Sequence, residues 1–311
     1  MHLETRIVKN KKKYYLAYTY RVLDKIKKVR VFLGTDLTKE ILSQKINDAE
    51  TLLETKVTEI KRINDPYQTA LSSLEISELK TLQSRGKIEL MHLSEGDWKK
   101  FIETFTYDTN AIEGSSVTQR EVENILQSDK WPDKSKEEIS ETKGVAEAVT
   151  FIRKTKEHIS LSMLKELHWL IFKNSKSYAG KFRAKGVEVA VFNSSGEKVH
   201  QGAKSTEVVS LLNKLVKWYQ ENRLKYPPIV LAAIVHNQFE MIHPFEDGNG
   251  RIGRLILNNI LLKHKLPPVN IELKHRAIYY SALKIYETTG NIRPIIELIL
   301  KEYKNLKKML K

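Results

Sequence analysis

The segment from His243 to Arg254 brings together side chains that suit the chemistry of phosphate esters. His243 carries an imidazole, which can accept a proton near neutral pH. Asp247 offers carboxylate oxygens, the ligands that Mg²⁺ prefers. Residues 248–250 form a Gly-Asn-Gly turn whose backbone N–H groups can face an anion, and Arg251 and Arg254 can neutralise phosphate charge. This is the set of groups that the handling of a nucleoside triphosphate requires.

Two helices are expected to hold this segment in place. The apolar run after Pro227 predicts a buried helix that ends near Ile242, because a proline follows His243 and disfavours helical geometry there. A second buried helix is predicted over Ile252–Leu262, with the two arginines three residues apart in its first turn and therefore on one face. Positive side chains oppose the dipole at a helix N-terminus by about 0.3–1 kcal/mol each. Two arginines in this unfavourable position therefore indicate that an anion binds at the N-terminus of the second helix.

The segment resembles the signature of Fic-domain proteins, which reads His-x-Phe-x-(Asp/Glu)-Gly-Asn-Gly-Arg-x-x-Arg, and matches it at every fixed position. The resemblance covers about residues 95–305. It implies an all-helical core that transfers AMP from ATP onto a serine, threonine or tyrosine hydroxyl of a protein target. Because attack at the α-phosphate expels pyrophosphate, such a site must activate the nucleophile and neutralise charge on the leaving group.

The resemblance implies a role for each position of the signature. His243 corresponds to the general base, and Asp247 corresponds to the ligand of Mg²⁺, the implied cofactor. The remaining positions correspond to the contacts that hold the nucleotide phosphates through backbone N–H or guanidinium groups: Gly248, Asn249, Gly250, Arg251 and Arg254.

A segment beyond the signature, residues 276–283, resembles the helix that borders the nucleotide pocket in this family. Tyr280 and Leu283 are three residues apart on it, so they can contact the base of the nucleotide together. The alternative is that both are ordinary core residues of an amphipathic helix.

The segment Thr109–Gly114 resembles the inhibitory motif of the same family, (Ser/Thr)-x-x-x-Glu-(Gly/Asn). Thr109 and Glu113 are four residues apart, on one face of a helix that the following glycine is suited to end. A carboxylate at a helix C-terminus is electrostatically disfavoured, which is typical of a residue kept for function. The resemblance implies that Glu113 pairs with Arg254 and blocks productive binding of the γ-phosphate. A solvated glutamate without a role is the alternative.

The segment between the two motifs contains a predicted helix and a predicted hairpin. Apolar residues at helical spacing indicate a core helix over 161–172. Residues 187–192 and 198–200 are typical of two strands joined by a Ser-Gly turn. In Fic proteins a hairpin at this place is the flap, which implies that it holds the target segment by strand addition. The alternative is an ordinary surface hairpin.

The first 35 residues carry more than half of the excess positive charge. They contribute +8 to a net charge of +15, from ten lysines and arginines against two acidic residues. Tyr14–Val22 and Val29–Leu33 are predicted to form paired strands, and Thr38 is predicted to cap a helix that ends near Arg62. The apolar positions of that helix are expected to be Ile41, Ile46, Leu52 and Leu53. Clustered charge among aromatic residues indicates a nucleic acid or an acidic protein as partner of residues 1–35. The alternatives are a solvated hairpin and a docking module for the protein target.

The composition is that of a soluble protein. With 311 residues, 41% of them hydrophobic, the chain can bury a sizeable core. The lack of cysteine excludes disulfides, zinc–thiolate sites and cysteine nucleophiles. No apolar run approaches the ~18 residues that span a bilayer, and the basic N-terminus lacks the apolar region of a signal peptide. The protein is therefore predicted to be cytoplasmic, with no membrane partner.

These elements predict a mainly α-helical protein: a Fic helical core with a β-hairpin flap, plus a small basic α+β module at the N-terminus. The expected divisions are residues 1–64 for the basic module, 65–94 for a linker and connecting helix, and 95–305 for the Fic domain. The inhibitory helix is expected over about 96–113. The sequence leaves the oligomeric state open.

The predicted function is Mg²⁺-dependent transfer of AMP from ATP to a protein hydroxyl, inhibited by Glu113. Two alternatives stay open. The same site could instead remove AMP from a modified protein, with Glu113 positioning a water molecule. In the second alternative, the basic module binds DNA and the Fic core only senses a nucleotide.

Overall fold

The computed structural model describes residues 1–22, 25–64, 77, 93–128, 131–192 and 198–309. The chain divides into two compact units, Met1–Gln68 and Thr69–Lys311. Almost all of the predicted linker and connecting helix, residues 65–94, lies outside the described residues, so the predicted domain boundaries stay predictions.

Unit 1 is a three-stranded antiparallel sheet with a helix packed on one face. The strands lie in the order β1-β2-β3. Its elements are β1 (His2–Val8), β2 (Lys11–Val22), β3 (Lys25–Thr35) and α1 (Lys39–Asn64). The sequence predicts β2 and β3 but not β1. Because β1 is exposed along nearly its whole length, it lacks the alternation of buried and exposed residues that marks a strand.

The core of unit 1 lies between the sheet and α1. Leu16 of β2 is paired with Val31 of β3, and both side chains are buried against α1. On α1, the residues that pack on the sheet follow helical spacing, and Leu53 is fully buried. The prediction for this helix was wrong at Ile41 and Leu52, which are 47% and 49% exposed. They lie outside the stripe that faces the sheet.

Unit 2 is mainly helical, which confirms the predicted fold class. Its helices are α2 (Glu95–Ile112), α3 (Gln119–Gln127), α4 (Lys136–Lys154), α5 (Leu161–Phe172), α6 (Val208–Asn222), α7 (Pro228–Ile242), α8 (Asn249–Lys263), α9 (Arg276–Thr289) and α10 (Arg293–Met309). A short 3₁₀ helix, Leu273–His275, precedes α9. Strands β4 (Ala190–Phe192) and β5 (Lys198–Gln201) form an antiparallel hairpin.

Helices α7 and α8 form the centre of unit 2, and both are buried along most of their length. Helix α7 spans the predicted residues. Helix α8 begins at Asn249, three residues before the predicted start, because Gly248 takes a left-handed conformation (φ 80°) and lets the turn lead directly into the helix. In the part of the chain that the structure describes, no helix combines the length and apolar character needed to cross a membrane.

Candidate active site

His243 lies at the C-terminus of α7 in a left-handed conformation, with φ 50° and ψ 62°. This conformation ends the helix and turns the chain towards the Gly-Asn-Gly segment. Nδ1 of the imidazole lies 3.2 Å from the carbonyl oxygen of Glu240. An Nδ1–H that donates to this oxygen leaves the lone pair of Nε2 free, which is the state that a general base requires.

The environment of His243 keeps its imidazole neutral. Burial lowers the pKa of His243 to about 4, and the neighbouring His200 acts in the same direction. The Glu240 carbonyl and the Glu113 carboxylate oppose this shift but do not reverse it. At neutral pH the side chain is therefore unprotonated and can accept a proton.

Arg183, which is buried, fixes the backbone around His243. Its Nε donates to the carbonyl oxygen of His243 at 2.8 Å, and its Nη1 donates to that of Val187 at 2.9 Å. Its Nη2 donates to Ala203, beyond the hairpin. One guanidinium thus joins the end of α7 to both sides of the hairpin base. The sequence does not indicate this role, because bonds from a side chain to backbone carbonyls leave no local pattern.

The hairpin lies beside Arg183 and its hydrogen bonds. Strand β4 begins at Ala190, not at the predicted Val187, whose carbonyl oxygen is occupied by Arg183. Val191 is paired with His200 of β5. The predicted Ser-Gly turn, residues 193–197, lies outside the described residues.

His200 of β5 lies beside His243. Its ring centroid is 5.6 Å from that of His243, and its Nδ1 lies 2.8 Å from Oε1 of Glu287 on α9. Although burial opposes ionisation of Glu287, hydrogen bonds from His200 and Lys284 hold the pKa of this carboxyl below its ordinary value. The hairpin is thereby tied to α9.

The Gly-Asn-Gly turn places backbone N–H groups at the N-terminus of α8. A side chain at Gly248 would need a Cβ only 2.3 Å from the Phe172 ring. The Asn249 side chain braces the turn: its Oδ1 accepts from the backbone N–H of Phe245 at 2.9 Å, and its Nδ2 donates to the Phe245 carbonyl at 3.0 Å. The backbone N–H groups of the first helical turn lack partners within the helix, which makes this helix end a candidate anion site.

Asp247 lies at the edge of this turn with its side chain 44% exposed. Its Oδ1 accepts from the Gly248 N–H at 2.6 Å, whereas its contacts with Arg251 and Lys176 are 3.4 Å or longer. An accessible carboxylate with spare acceptor capacity beside an anion site fits a hard divalent ion.

The two signature arginines point to different parts of unit 2, contrary to the expectation that they share a face. Arg251 donates to Glu141 of α4 at 2.6 Å and lies over the ring of Phe172. Arg254 extends towards α2 and is almost fully buried. Glu141 was not identified from the sequence, since 110 residues separate it from Arg251.

Arg254 holds the end of α2 in place. Its Nη2 lies 2.7 Å from Oε1 of Glu113, and its Nε donates to Oγ1 of Thr109 at 2.7 Å. Although burial disfavours the charge, the Glu113 carboxylate holds the pKa of Arg254 above its ordinary value. Gly114 follows with φ 94°, which ends the helix.

The Glu113 carboxylate lies against the anion site itself. A Cβ built on Gly250 would be 2.1 Å from Oε1 of Glu113. The carboxylate therefore occupies space beside the first turn of α8. A bound anion that pairs with Arg254 must compete with this carboxylate.

Tyr280 and Leu283 lie on α9, near the end of α2. The Tyr280 hydroxyl donates to the carbonyl oxygen of Ile112 at 3.3 Å, and the residue is 37% exposed. Leu283 is partly buried. Both side chains retain accessible surface, which a core pair would lack. The buried aromatic residue is the neighbouring Tyr279, whose hydroxyl lies 2.9 Å from Nε2 of His236.

A cavity of about 480 Å³ lies apart from these residues and is lined by Asp108, Glu272 and Glu302 among others. His275 is 2.6 Å from Glu302 beside it, a grouping that could hold a metal ion. Asn305 donates to both glutamates. Because the carboxylates are already paired with protein groups, we assign this cluster a structural role.

Comparison with known proteins agrees with the geometry. Residues 158–261 match the model of the Fic/DOC family. Protein adenylyltransferase fic-1 of Caenorhabditis elegans is 33% identical over 205 residues, which are 63% of this chain and 39% of that protein. The chain thus spans less than half the length of this curated relative.

Solved structures share the fold. A Fic family protein from Desulfovibrio desulfuricans G20 superposes with a TM-score of 0.66 at 22% identity, over 79% of this chain and 76% of that chain. A Fic domain containing signaling protein from Bacteroides thetaiotaomicron gives 0.64 at 23% identity, over 76% and 94%. These likenesses extend beyond the matched family segment to much of unit 2.

Proposed function

We propose that this chain, which carries a Fic/DOC family domain, transfers AMP from ATP to the hydroxyl of a serine, threonine or tyrosine in a protein target. The observation that carries the proposal is the grouping around the N-terminus of α8. This helix end carries two buried arginines and backbone N–H groups without partners in the helix, with an accessible carboxylate beside it and a neutral imidazole at the end of α7. The relative named protein adenylyltransferase fic-1 supports it.

Residues of this chain would accept the proton of the attacking hydroxyl and neutralise the charge on the leaving pyrophosphate. Nε2 of His243 takes the proton of the acceptor hydroxyl as its oxygen bonds to the α-phosphorus, while the bond to the β-phosphate breaks and pyrophosphate leaves. The Gly-Asn-Gly turn at residues 248–250 holds phosphate oxygens through its backbone N–H groups, of which that of Gly248 donates to Asp247 in this structure. Arg251 and Arg254 neutralise the negative charge that accumulates on the leaving group.

Asp247 would hold Mg²⁺, whose chemistry at this place is neutralisation of phosphate charge. The carboxylate fits the ion because it is accessible and only lightly engaged. Tyr280 and Leu283, with their partly exposed side chains on α9, are the proposed contacts to the base of ATP.

The hairpin is the proposed docking place of the target. A peptide that adds to an exposed strand edge is fixed by backbone hydrogen bonds, which sets the position of its hydroxyl with little demand on its sequence. Arg183 supports this role, since it ties the base of the hairpin to the carbonyl of His243. Arg183 would thereby fix the position of the target hydroxyl on the hairpin relative to the His243 imidazole.

Glu113 is the proposed inhibitor of this reaction. Its carboxylate pairs with Arg254 and lies against Gly250, where the terminal phosphates of ATP would bind. While the pair holds, Arg254 cannot engage the γ-phosphate fully, and the α-phosphate is misplaced for attack.

Incubation with Mg²⁺ and ATP labelled at the α-phosphate tests the proposal. Protein with Glu113→Gly should gain label and the mass of AMP on itself, and a second variant that adds His243→Ala should gain neither. Equal labelling of the two variants would exclude His243 as the base.

The same reagents separate AMP transfer from AMP removal. In the removal reaction Glu113 is needed, so Glu113→Gly would abolish loss of AMP from a modified target and produce no gain of label. In the transfer reaction the substitution increases labelling.

A further inference from the structure

The charge of unit 1 is concentrated on a sheet whose two faces differ. Leu16, Tyr18 and Val31 lie on the inner face, packed against α1. Residues of the opposite parity lie on the outer face. On β2 and β3, Tyr15 is paired with Phe32, and on the neighbouring strand Glu4 is paired with Tyr15.

The outer face combines exposed rings with a surplus of cations. Phe32 is 54% exposed, an unusual position for a large aromatic side chain, and its ring centroid is 5.3 Å from that of Tyr15. The cations on this face are Arg6, Lys13, Lys28 and Arg30. Glu4 is the one acidic side chain among the described residues of this face.

Glu4 arranges the cations into a row across the strands. It accepts from Arg30 at 2.7 Å and from Arg6 at 2.9 Å, and Lys28 lies 3.7 Å away. Because three cations share one carboxylate, positive charge remains available for a further anion. The row crosses the sheet, from β1 to β3.

This arrangement suits a polyanion with a regular groove. The major groove of B-DNA, about 12 Å wide, admits a two-stranded β-ribbon. Strands β2 and β3, about 5 Å apart, form such a ribbon and carry Phe32, Lys28 and Arg30 on its outer face. Arginine pairs with guanine edges and phenylalanine contacts thymine methyl groups in that groove, while flanking lysines reach the phosphates. Lys9, Lys11 and Lys12 lie at the β1–β2 turn, beside one end of this face.

The aromatic pair is less suited to a single strand. Base stacking needs open ring faces. Here the two rings are inclined by 51°, and the guanidinium of Arg6 lies over the Tyr15 ring, 5.6 Å from its centroid. An unobstructed platform for successive bases is therefore absent from the described part of the sheet.

We infer that the outer face of this sheet binds double-stranded DNA in the major groove, with Arg6, Lys28, Arg30 and Phe32 as its central contacts. The inference does not depend on AMP transfer, since the sheet belongs to unit 1 and the proposed catalytic residues belong to unit 2. DNA binding would hold the enzyme near targets that are themselves bound to DNA.

Fluorescence anisotropy of a labelled duplex of about 24 base pairs tests the inference on the full chain. Binding is expected with a dissociation constant of about 10⁻⁶ M or tighter at about 100 mM salt, weakening steeply as salt rises. The measurement is made on the full chain with His243→Ala, so that a failure of catalysis leaves the result unaffected. No binding at about 50 mM salt overturns the inference.

The double variant Lys28→Gln with Arg30→Gln should bind at least ~10-fold more weakly and lower the slope of log affinity against log salt by about 2. Phe32→Ala should weaken binding with little change in the slope. The control, Lys99→Gln with Lys156→Gln, removes the same charge from exposed positions in unit 2. Thermal unfolding verifies that each variant is folded.

Three outcomes would contradict the assignment of duplex DNA. Equal losses in the control and in the sheet variant would mean that net charge alone is responsible. Tighter binding of a single strand of the same sequence would make the sheet a stacking surface. Competition by polyglutamate as effective as that by DNA would identify an acidic protein as the partner.

Discussion

At the level of single residues, the signature could be identified from the sequence because its chemistry is contiguous. His243, Asp247 and the glycines lie within a few positions of one another, and their types alone indicate phosphate chemistry. Arg183 and Glu141 could not be identified in this way. Arg183 binds the carbonyl of His243, 60 residues away, and Glu141 binds Arg251, 110 residues away. A buried arginine that binds carbonyls has no local pattern.

The depressed pKa of His243 predicts an unusual dependence of the rate on pH. A base works in its neutral form, and burial lowers the pKa of His243 to about 4. Self-labelling by the Glu113→Gly variant should therefore stay nearly constant from pH 8 to about pH 5, and fall as the pH drops through about 4. A histidine with its ordinary pKa of about 6.5 would lose half its activity near that value.

Single-turnover rates between about pH 3.5 and pH 8 check this prediction, with thermal unfolding at each pH as a control. A half-maximal rate near pH 6.5 would mean that His243 is not shielded from solvent. It would also remove the argument that the imidazole is neutral because of its environment.

The metal site gives a comparison between adjacent carboxylates. Asp247 lies beside the anion turn and accepts from the Gly248 N–H, whereas Glu246 is exposed. We expect Asp247→Ala to abolish Mg²⁺-dependent labelling and Glu246→Ala to have a mild effect. Labelling at a series of Mg²⁺ concentrations in the Glu113→Gly background checks this, and the reverse order would place the metal ligand one residue earlier.

At the level of elements, the helices with strong apolar periodicity could be predicted, and their ends could be predicted where a proline or glycine enforces them. Helix α7 ends at Ile242 because the chain must turn before Pro244. Strand β1 could not be predicted, since it buries little on either side. Ile41 and Leu52 are exposed because of how α1 is rotated about its axis relative to the sheet. The spacing of apolar residues along the helix does not determine that rotation.

Helix α2 is the element on which the proposed inhibition depends, and substitutions at its end should have graded effects. Arg254 is buried but the Glu113 side chain is 31% exposed, so loss of this charged hydrogen bond costs about 1.5–3 kcal/mol, which corresponds to a rate difference of roughly 10–10². We expect Glu113→Gly to increase self-labelling by about that factor. Glu113→Asp should be intermediate, because the shorter side chain reaches Arg254 less well.

Initial rates of labelling are compared for the unsubstituted protein, Glu113→Asp and Glu113→Gly. Thermal unfolding verifies that each protein is folded. Calorimetry adds a second test: Glu113→Gly should strengthen the binding of ATP but leave that of AMP nearly unchanged, because AMP lacks the phosphates that compete with the carboxylate. Equal rates for the three proteins would mean that Glu113 does not inhibit.

At the level of the whole molecule, the fold class followed from the helical patterns and from the resemblance to the signature family. The predicted division into residues 1–64, 65–94 and 95–305 stays a prediction, because almost all of the predicted linker lies outside the described residues. The compact units meet at Gln68 and Thr69, in a stretch whose composition provides only a proline as a boundary signal. Long-range packing decides such a boundary.

The two-unit organisation predicts that the catalytic part functions without the sheet. Deleting residues 1–64 removes fifteen lysines and arginines and eight acidic residues. The remaining chain should fold and, with Glu113→Gly, should label itself at a rate within a few-fold of the full chain. Far-UV circular dichroism and the labelling assay check this, and an insoluble product would mean that unit 1 completes the core of unit 2.

The contact between Arg254 and the end of α2 joins positions 141 and 145 residues apart, and it exists only while that helix is docked. The proposed inhibition therefore depends on the fraction of molecules in which α2 is docked. If local opening of α2 costs about 4 kcal/mol, roughly one molecule in 10³ is uninhibited at any moment. Any substitution that loosens the packing of this helix, even far from the nucleotide, raises that fraction. Mild heat or low denaturant should thus increase labelling before it destroys the protein, so basal activity measures the local stability of one helix.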